Sequence, residues 1–270
     1  MRPAWNALRD GPGAEIVLAC DFSTAGRRIA TFADLVALTG DGPAVWESAP
    51  TPPDTALDGA AQVRRWADAV RASGRPVRAV LGFCTGAVYA AALAAEISRR
   101  QPTRLILLDP ESGDARPMLG FLREVVARFG ALAPPGADDV LGAAGAAAEE
   151  AGTDLMALAD RLIALCSAVV TPACANAGLG PARSAEYLDV ATRYLHWLAA
   201  AGSLEPPPSW TSAAALNSST PGAGLLGVPP AERAGLVAEE VHLDVPHEDL
   251  MRTPEAARIT ARWMSEKEPT

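Results

Sequence analysis

The sequence predicts an α/β protein with a mostly parallel central sheet, flanking helices and a helical insertion. Short apolar runs alternate with helical segments up to Asp109, a rhythm that argues for parallel strands joined by crossover helices. The same texture returns near the C-terminus. Between the two, residues 112–205 are Ala-rich and helical, with no clear strand. At 270 residues and 49% apolar content, the chain is long enough to bury one sizeable core.

The elements follow in order. Ala14–Phe22 (AEIVLACDF) reads as a buried strand, because a short apolar run ends in polar, turn-like residues. Phe32–Leu38 makes a turn or two of helix. Pro43–Trp46 is a candidate short strand, and Pro50–Asp54 a Pro-rich loop. Ala60–Ser73 puts Val63, Trp66 and Val70 on one helical face, with Gly74 as a natural stop. Val77–Phe83 is a second buried strand, Ala87–Arg99 a helix with small residues on its leading face, and Arg104–Leu108 a third strand. PPGADD and GLGPAR break the helical insertion into pieces. Ser212–Leu216 and Leu236–Val245 read as two further strands. Pro254–Lys267 is a closing helix, with Thr253 as N-cap and Pro254 at its first position. The expected organisation is a core of residues 1–111 and 206–270, with 112–205 as a lid or cap inserted between sheet strands.

A net charge of −9 argues against a protein that tracks phosphate backbones. No run approaches the roughly 18 apolar residues of a membrane span. The N-terminus MRPAWNALRD lacks the basic-then-apolar pattern of a signal peptide. The expectation is a soluble, cytoplasmic protein. Cys20, Cys84, Cys166 and Cys174 form no CxxC pair and the chain has three histidines, so a zinc site is poorly supported.

Cys84 stands apart from the other cysteines. It lies in Gly82-Phe83-Cys84-Thr85-Gly86, after a strand and before a helix. A nucleophile on so sharp a turn needs Gly two positions before and two after, where side chains would collide. The pattern resembles the nucleophile elbow of the α/β-hydrolase fold. The N-terminus of the following helix favours thiolate, and the Thr85 amide can face a developing oxyanion. The second oxyanion amide is expected in DFSTAG, with Ser23 as candidate. The base is expected at His247, which follows the penultimate element in Val245-Pro246-His247-Glu248-Asp249; His196 lies in the helical insertion and His242 within a strand. The acid is often carried by the strand before the one that leads to the histidine; here that strand ends Leu216-Asn217-Ser218-Ser219-Thr220, with no carboxylate. The earlier strand RLILL ends at Asp109, the better candidate to orient the imidazole. The chain order Cys84, Asp109, His247 is the nucleophile–acid–base order of this fold.

At these residues the chain resembles the thioesterase domains that release products from polyketide and nonribosomal peptide assembly lines. The resemblance runs through ACDFSTAG, VLGFCTGAVYAAALA, LILLDPESG, a helical lid and VPHEDLM. Most such domains use Ser as nucleophile; this chain has Cys84. With that sulfur, it resembles the stand-alone Dieckmann cyclases that form tetramic acids (2,4-pyrrolidinediones). The resemblance implies Cys-dependent release of a carrier-bound β-ketoacyl-aminoacyl thioester by intramolecular C–C bond formation. A thioesterase releasing product by hydrolysis or macrocyclisation with the same residues is the alternative, and a degenerate fold used for binding is a third. The implied partner is an acyl or peptidyl carrier protein of a hybrid polyketide–nonribosomal peptide assembly line. Its phosphopantetheine arm would present the substrate, and no other cofactor is implied. Arg27-Arg28 and Arg99-Arg100 are candidate docking charges.

Overall fold

The computed structural model describes residues 4–11, 13–22, 28–49, 58–132, 137–204 and 209–266. Ser23, Arg27, the Pro50–Asp54 loop and the last residues of the chain lie outside them. The chain divides into two compact units, Met1–Ser112 with Leu204–Thr270, and Gly113–Ser203.

The first unit is built on a seven-stranded sheet in the order β1-β3-β2-β4-β5-β6-β7. The strands are β1 (Trp5–Arg9), β2 (Ile16–Cys20), β3 (Ala44–Ser48), β4 (Val77–Phe83), β5 (Arg104–Leu108), β6 (Ala214–Asn217) and β7 (Glu239–His242). All neighbours are parallel except β1, which pairs antiparallel with β3. All five residues of β2 are buried, as expected of a central parallel strand covered on both faces. The expected strand Ala14–Phe22 is realised only over its continuous apolar stretch, Ile16–Cys20. Strand β1 escapes the sequence pattern because it is an edge: only Trp5 is buried, and Asn6 and Ala7 are exposed. The expected strand Leu236–Val245 contracts to four residues, because its partner β6 offers only four register positions.

Helices α1 (Phe32–Leu38), α2 (Gly59–Ser73) and α3 (Gly86–Ser98) follow their strands in chain order. Thr31 and Asp34 form a reciprocal capping box on α1, and Asp58 caps α2 through the Ala61 amide. Gly74 ends α2 in the left-handed conformation, as its place in the sequence predicts. The pleat of β4 sorts the core. Ala79, Leu81 and Phe83 join a cluster with Phe32, Leu35, Leu250, Met251 and Trp263 on one face. On the other face Gly82 meets Ala87 and Ala90 of α3, and Trp66 packs edge-on against Tyr89 at 5.3 Å.

The second unit contains no strand among its described residues. Its helices are α4 (Ala115–Phe129), α5 (Ala137–Ala151), α6 (Leu155–Asn176) and α7 (Pro181–Gly202). By length and composition α6 could cross a membrane, which departs from the expectation that no segment approaches a span. Here it is the central helix of a bundle. Leu158, Leu162, Cys166, Val169 and Val170 are buried, and α4, α5 and α7 pack around it. Asp160 and Arg161 interrupt its apolar run; Asp160 meets His196 of α7 at 3.1 Å, and Arg161 pairs with Glu150 of α5. His196 is thus a partly exposed helix-to-helix contact. The short α8 (Pro230–Arg233) precedes β7, and α9 (Pro254–Ser265) closes the chain with Thr253 accepting from the Ala256 amide.

Candidate active site

The turn between β4 and α3 bends at Cys84, whose φ is 51°. A left-handed cysteine costs on the order of 1–3 kcal/mol and persists only when its surroundings hold it. They do so through three hydrogen bonds. The Cys84 amide donates to the Leu108 carbonyl (3.1 Å), and its carbonyl accepts from the amides of Ala87 (3.0 Å) and Glu111 (3.1 Å).

The two elbow glycines answer to close approach. A β-carbon on Gly86 would sit 2.1 Å from the Cys20 carbonyl oxygen, and one on Gly82 would sit 2.6 Å from the Ala87 Cα. Both obstacles are backbone and cannot rotate away. Gly86→Ala is expected to lose about 3 kcal/mol of stability, at the upper end of overpacking costs, and roughly 6–12 °C in Tm by calorimetry. Retention of wild-type stability would contradict this packing.

At the C-terminal end of β5, Asp109 is fully buried and also left-handed, with φ 42°. A buried carboxylate needs partners for its oxygens. Oδ1 accepts from the Ser218 amide at 2.7 Å, and Oδ2 meets Nδ1 of His247 at 2.8 Å. Gly224 lies over the same carboxylate, where a β-carbon would be 2.5 Å from Oδ1. His247 opens a 3-10 turn (His247–Arg252); its amide donates to the Thr220 hydroxyl at 2.8 Å, and its ring stacks on Phe83 at 4.9 Å and 16°. Position, tautomer and tilt of the imidazole are therefore all constrained, with Nε2 left as the second ring nitrogen. His242, by contrast, is an exposed strand residue that meets Glu240 at 2.8 Å.

The protonation state differs from the sequence expectation. Burial pushes the half-buried Cys84 thiol well above its ordinary value, and the Glu111 carboxylate raises it further by its charge. Hydrogen bonds from the Thr85 amide and hydroxyl oppose this without overcoming it. Desolvation of the sulfur is the largest cause, and it favours the thiol over the thiolate. For His247, burial lowers the pKa. The hydrogen bond and charge of Asp109, joined by Glu111 and Glu248, outweigh burial and raise it above 6.5. The resting sulfur is a thiol, and an imidazole that is to act as its base must be neutral to take the proton. Activity is accordingly expected to rise with pH through a value above 6.5; a pH profile of kcat/KM flat down to pH 5 would contradict it.

The sequence-predicted residues therefore have definite places. Cys84 and the Thr85 amide share the elbow, with that amide directed at the sulfur. Asp109 and His247 meet although 138 positions apart. Phe83, Glu111, Ser218, Thr220 and Gly224 were not singled out. The run Asn217-Ser218-Ser219-Thr220 did carry a signal, since small polar residues ending a buried strand offer amides and hydroxyls to a neighbouring strand end. Asn217 itself is structural: Oδ1 accepts from the Leu225 amide at 3.0 Å, and Nδ2 donates to Glu240 at 3.1 Å. Of the candidate docking arginines, Arg99 pairs with Glu96 at 2.6 Å.

No family model matches the sequence, and no curated protein does. Solved structures do. The NocB thioesterase domain, in covalent complex with a fluorophosphonate nocardicin G analogue, aligns with TM-score 0.55 and 18% identity over 94% of this chain and 95% of that one. The Vlm2 thioesterase domain bound with a dodecadepsipeptide aligns with TM-score 0.51 and 19% identity over 96% and 97%. RedJ with a polyethylene glycol molecule in its active site gives 0.50 and 16% over 95% and 92%. At these identities the likeness is one of fold: the chain has the mostly parallel α/β-hydrolase architecture of these domains.

Proposed function

We propose that the protein is a Cys-dependent acyl-transfer enzyme that closes a tetramic acid ring. The observation that supports the reading is sulfur on the strained elbow, together with a buried Asp109 that meets His247 and a chain order of nucleophile, acid and base. A carrier-bound β-ketoacyl-aminoacyl thioester transfers its acyl group to Cys84 while His247 takes the thiol proton. Asp109 stabilises the imidazolium, and the Thr85 amide faces the oxyanion, with Ser23 as the proposed second donor. His247 then gives its proton to the departing pantetheine sulfur. The carbon between ketone and amide carbonyls is acidic enough for His247 or a nearby base to take its proton; the resulting enolate attacks the thioester carbonyl and expels the Cys84 sulfur, which takes the proton back. A thioester is more electrophilic toward an enolate than an oxoester, and thiolate leaves more readily than alkoxide. Sulfur therefore suits ring closure better than oxygen would.

The substrate would arrive on the phosphopantetheine arm of an acyl or peptidyl carrier protein. We read the helical unit as the lid that keeps water from the acyl enzyme, since hydrolysis competes with ring closure. The test uses an N-acetoacetyl-glycine thioester mimic, with products identified by mass. Loss of the thiol alone is the expected result. A free acid heavier by one water, formed exclusively, would overturn the cyclase reading in favour of a hydrolytic thioesterase.

A further inference from the structure

We propose that Glu111 is a second proton-transfer group of this site: it takes the proton from the acidic carbon of the Cys84-bound acyl chain and returns it to the sulfur as the ring closes. The inference rests on the cyclase reading.

Two carboxylates leave the same strand end with different surroundings. Asp109 is fully buried, and its two oxygens are occupied by the Ser218 amide and the His247 ring. Two residues on, Glu111 is half-buried, and its amide is tied to the Cys84 carbonyl at 3.1 Å. That bond fixes the residue beside the elbow, and its side chain makes a hydrogen bond with the Cys84 thiol. His247 also experiences the Glu111 charge, so the carboxylate lies near both the nucleophile and its base.

Acylation changes what this carboxylate meets. In the free enzyme it accepts the thiol proton as a hydrogen bond. Once Cys84 carries an acyl group, that donor is gone, and a half-buried carboxylate that loses a donor becomes a stronger base. It gains this strength beside the bound thioester, when a carbon acid must be deprotonated. The step balances with no further reactant. The C–H bond breaks and its proton goes to Glu111, leaving the electron pair as an enolate. The enolate carbon bonds to the acyl carbonyl carbon, the C–S bond breaks, and its pair stays on Sγ. Glu111 then gives the proton to Sγ, restoring the thiol and its hydrogen bond. His247 and Asp109 serve acylation, and Glu111 serves ring closure.

Glu111→Gln keeps the shape and removes the base. With the acetoacetyl-glycine thioester mimic, first-turnover thiol release is expected to persist, with its acid limb moved to lower pH because loss of the Glu111 charge lowers the pKa of His247 and of Cys84. Ring formation is expected to fall at least ~100-fold, the usual scale of general-base catalysis, so that acyl enzyme accumulates in the intact-protein mass. Glu111→Asp, which retains a carboxylate, should recover part of the ring-forming rate. The proposal is overturned if thiol release and ring formation fall together without accumulation, or if ring formation is unchanged. Failure of the cyclase reading is distinguishable, because wild type would then give only acid before any variant is made.

Discussion

Cys84→Ala is expected to lower acyl transfer from a thioester mimic by about 10⁵–10⁶-fold, the scale seen when a nucleophile is removed from a triad-type site. The measurement is thiol release, with an intact-protein mass showing no acyl adduct. The other three cysteines offer no substitute. Cys20, Cys166 and Cys174 are buried, and burial pushes the Cys166 thiol up to about 11. Neither Cys166 nor Cys174 belongs to the unit that carries the elbow. Cys84→Ser is the more informative companion. It retains a nucleophile at the same strained position, so acylation should persist at reduced rate while ring closure falls further, because the intermediate becomes an oxoester with a poorer leaving group. Ring formation undiminished in the serine variant would remove the chemical reason for sulfur. Alkylation of wild-type Cys84 by iodoacetamide should be slow at neutral pH and accelerate as pH rises, since the resting sulfur is a thiol.

Asp109→Asn is expected to lower kcat/KM by about 10⁴-fold with little change in fold, by analogy with loss of the orienting acid in serine proteases. The asparagine oxygen can still accept from the Ser218 amide. Its amide nitrogen donates where the carboxylate accepted, so it forces Nδ1 of His247 to be the acceptor and puts the ring proton on Nε2. An Nε2 carrying a proton cannot take another from the thiol. The pH dependence moves as well. The Asp109 hydrogen bond and charge raise the His247 pKa, so removing them lowers it, and the acid limb of kcat/KM shifts to lower pH. A variant with an unchanged limb, or with activity within tenfold of wild type (~1.4 kcal/mol), would show that the 2.8 Å contact does not set the histidine's state.

The sheet and the elbow were legible because they rest on local rules. An apolar run bounded by turn residues marks a central parallel strand, and β2, β4 and β5 follow that rule. Gly74 marked the end of α2, and Thr253 with Pro254 marked the start of α9. The edge strand β1 was not legible, since one tryptophan in an otherwise exposed run has no periodicity to read. The length of β7 was overestimated for the opposite reason: its residues favour extension, but pairing ends where β6 ends. The apolar composition of α6 needed tertiary contacts to become a bundle helix.

By itself the sequence determined where a nucleophile could stand, which histidine follows the last strand, and, by the lack of a carboxylate after Leu216, that the orienting acid had to be sought at Asp109. Each of these depends on chain order and on the geometry of one turn. Only the tertiary structure decided how those groups are charged and held. The Ser218 amide reaches Asp109 across 109 positions, Thr220 and Phe83 fix the imidazole, and Glu111 meets the sulfur. Burial and the Glu111 charge raise the pKa of Cys84. Desolvation and hydrogen bonding depend on which distant residues surround a group, and no spacing within the sequence encodes that directly.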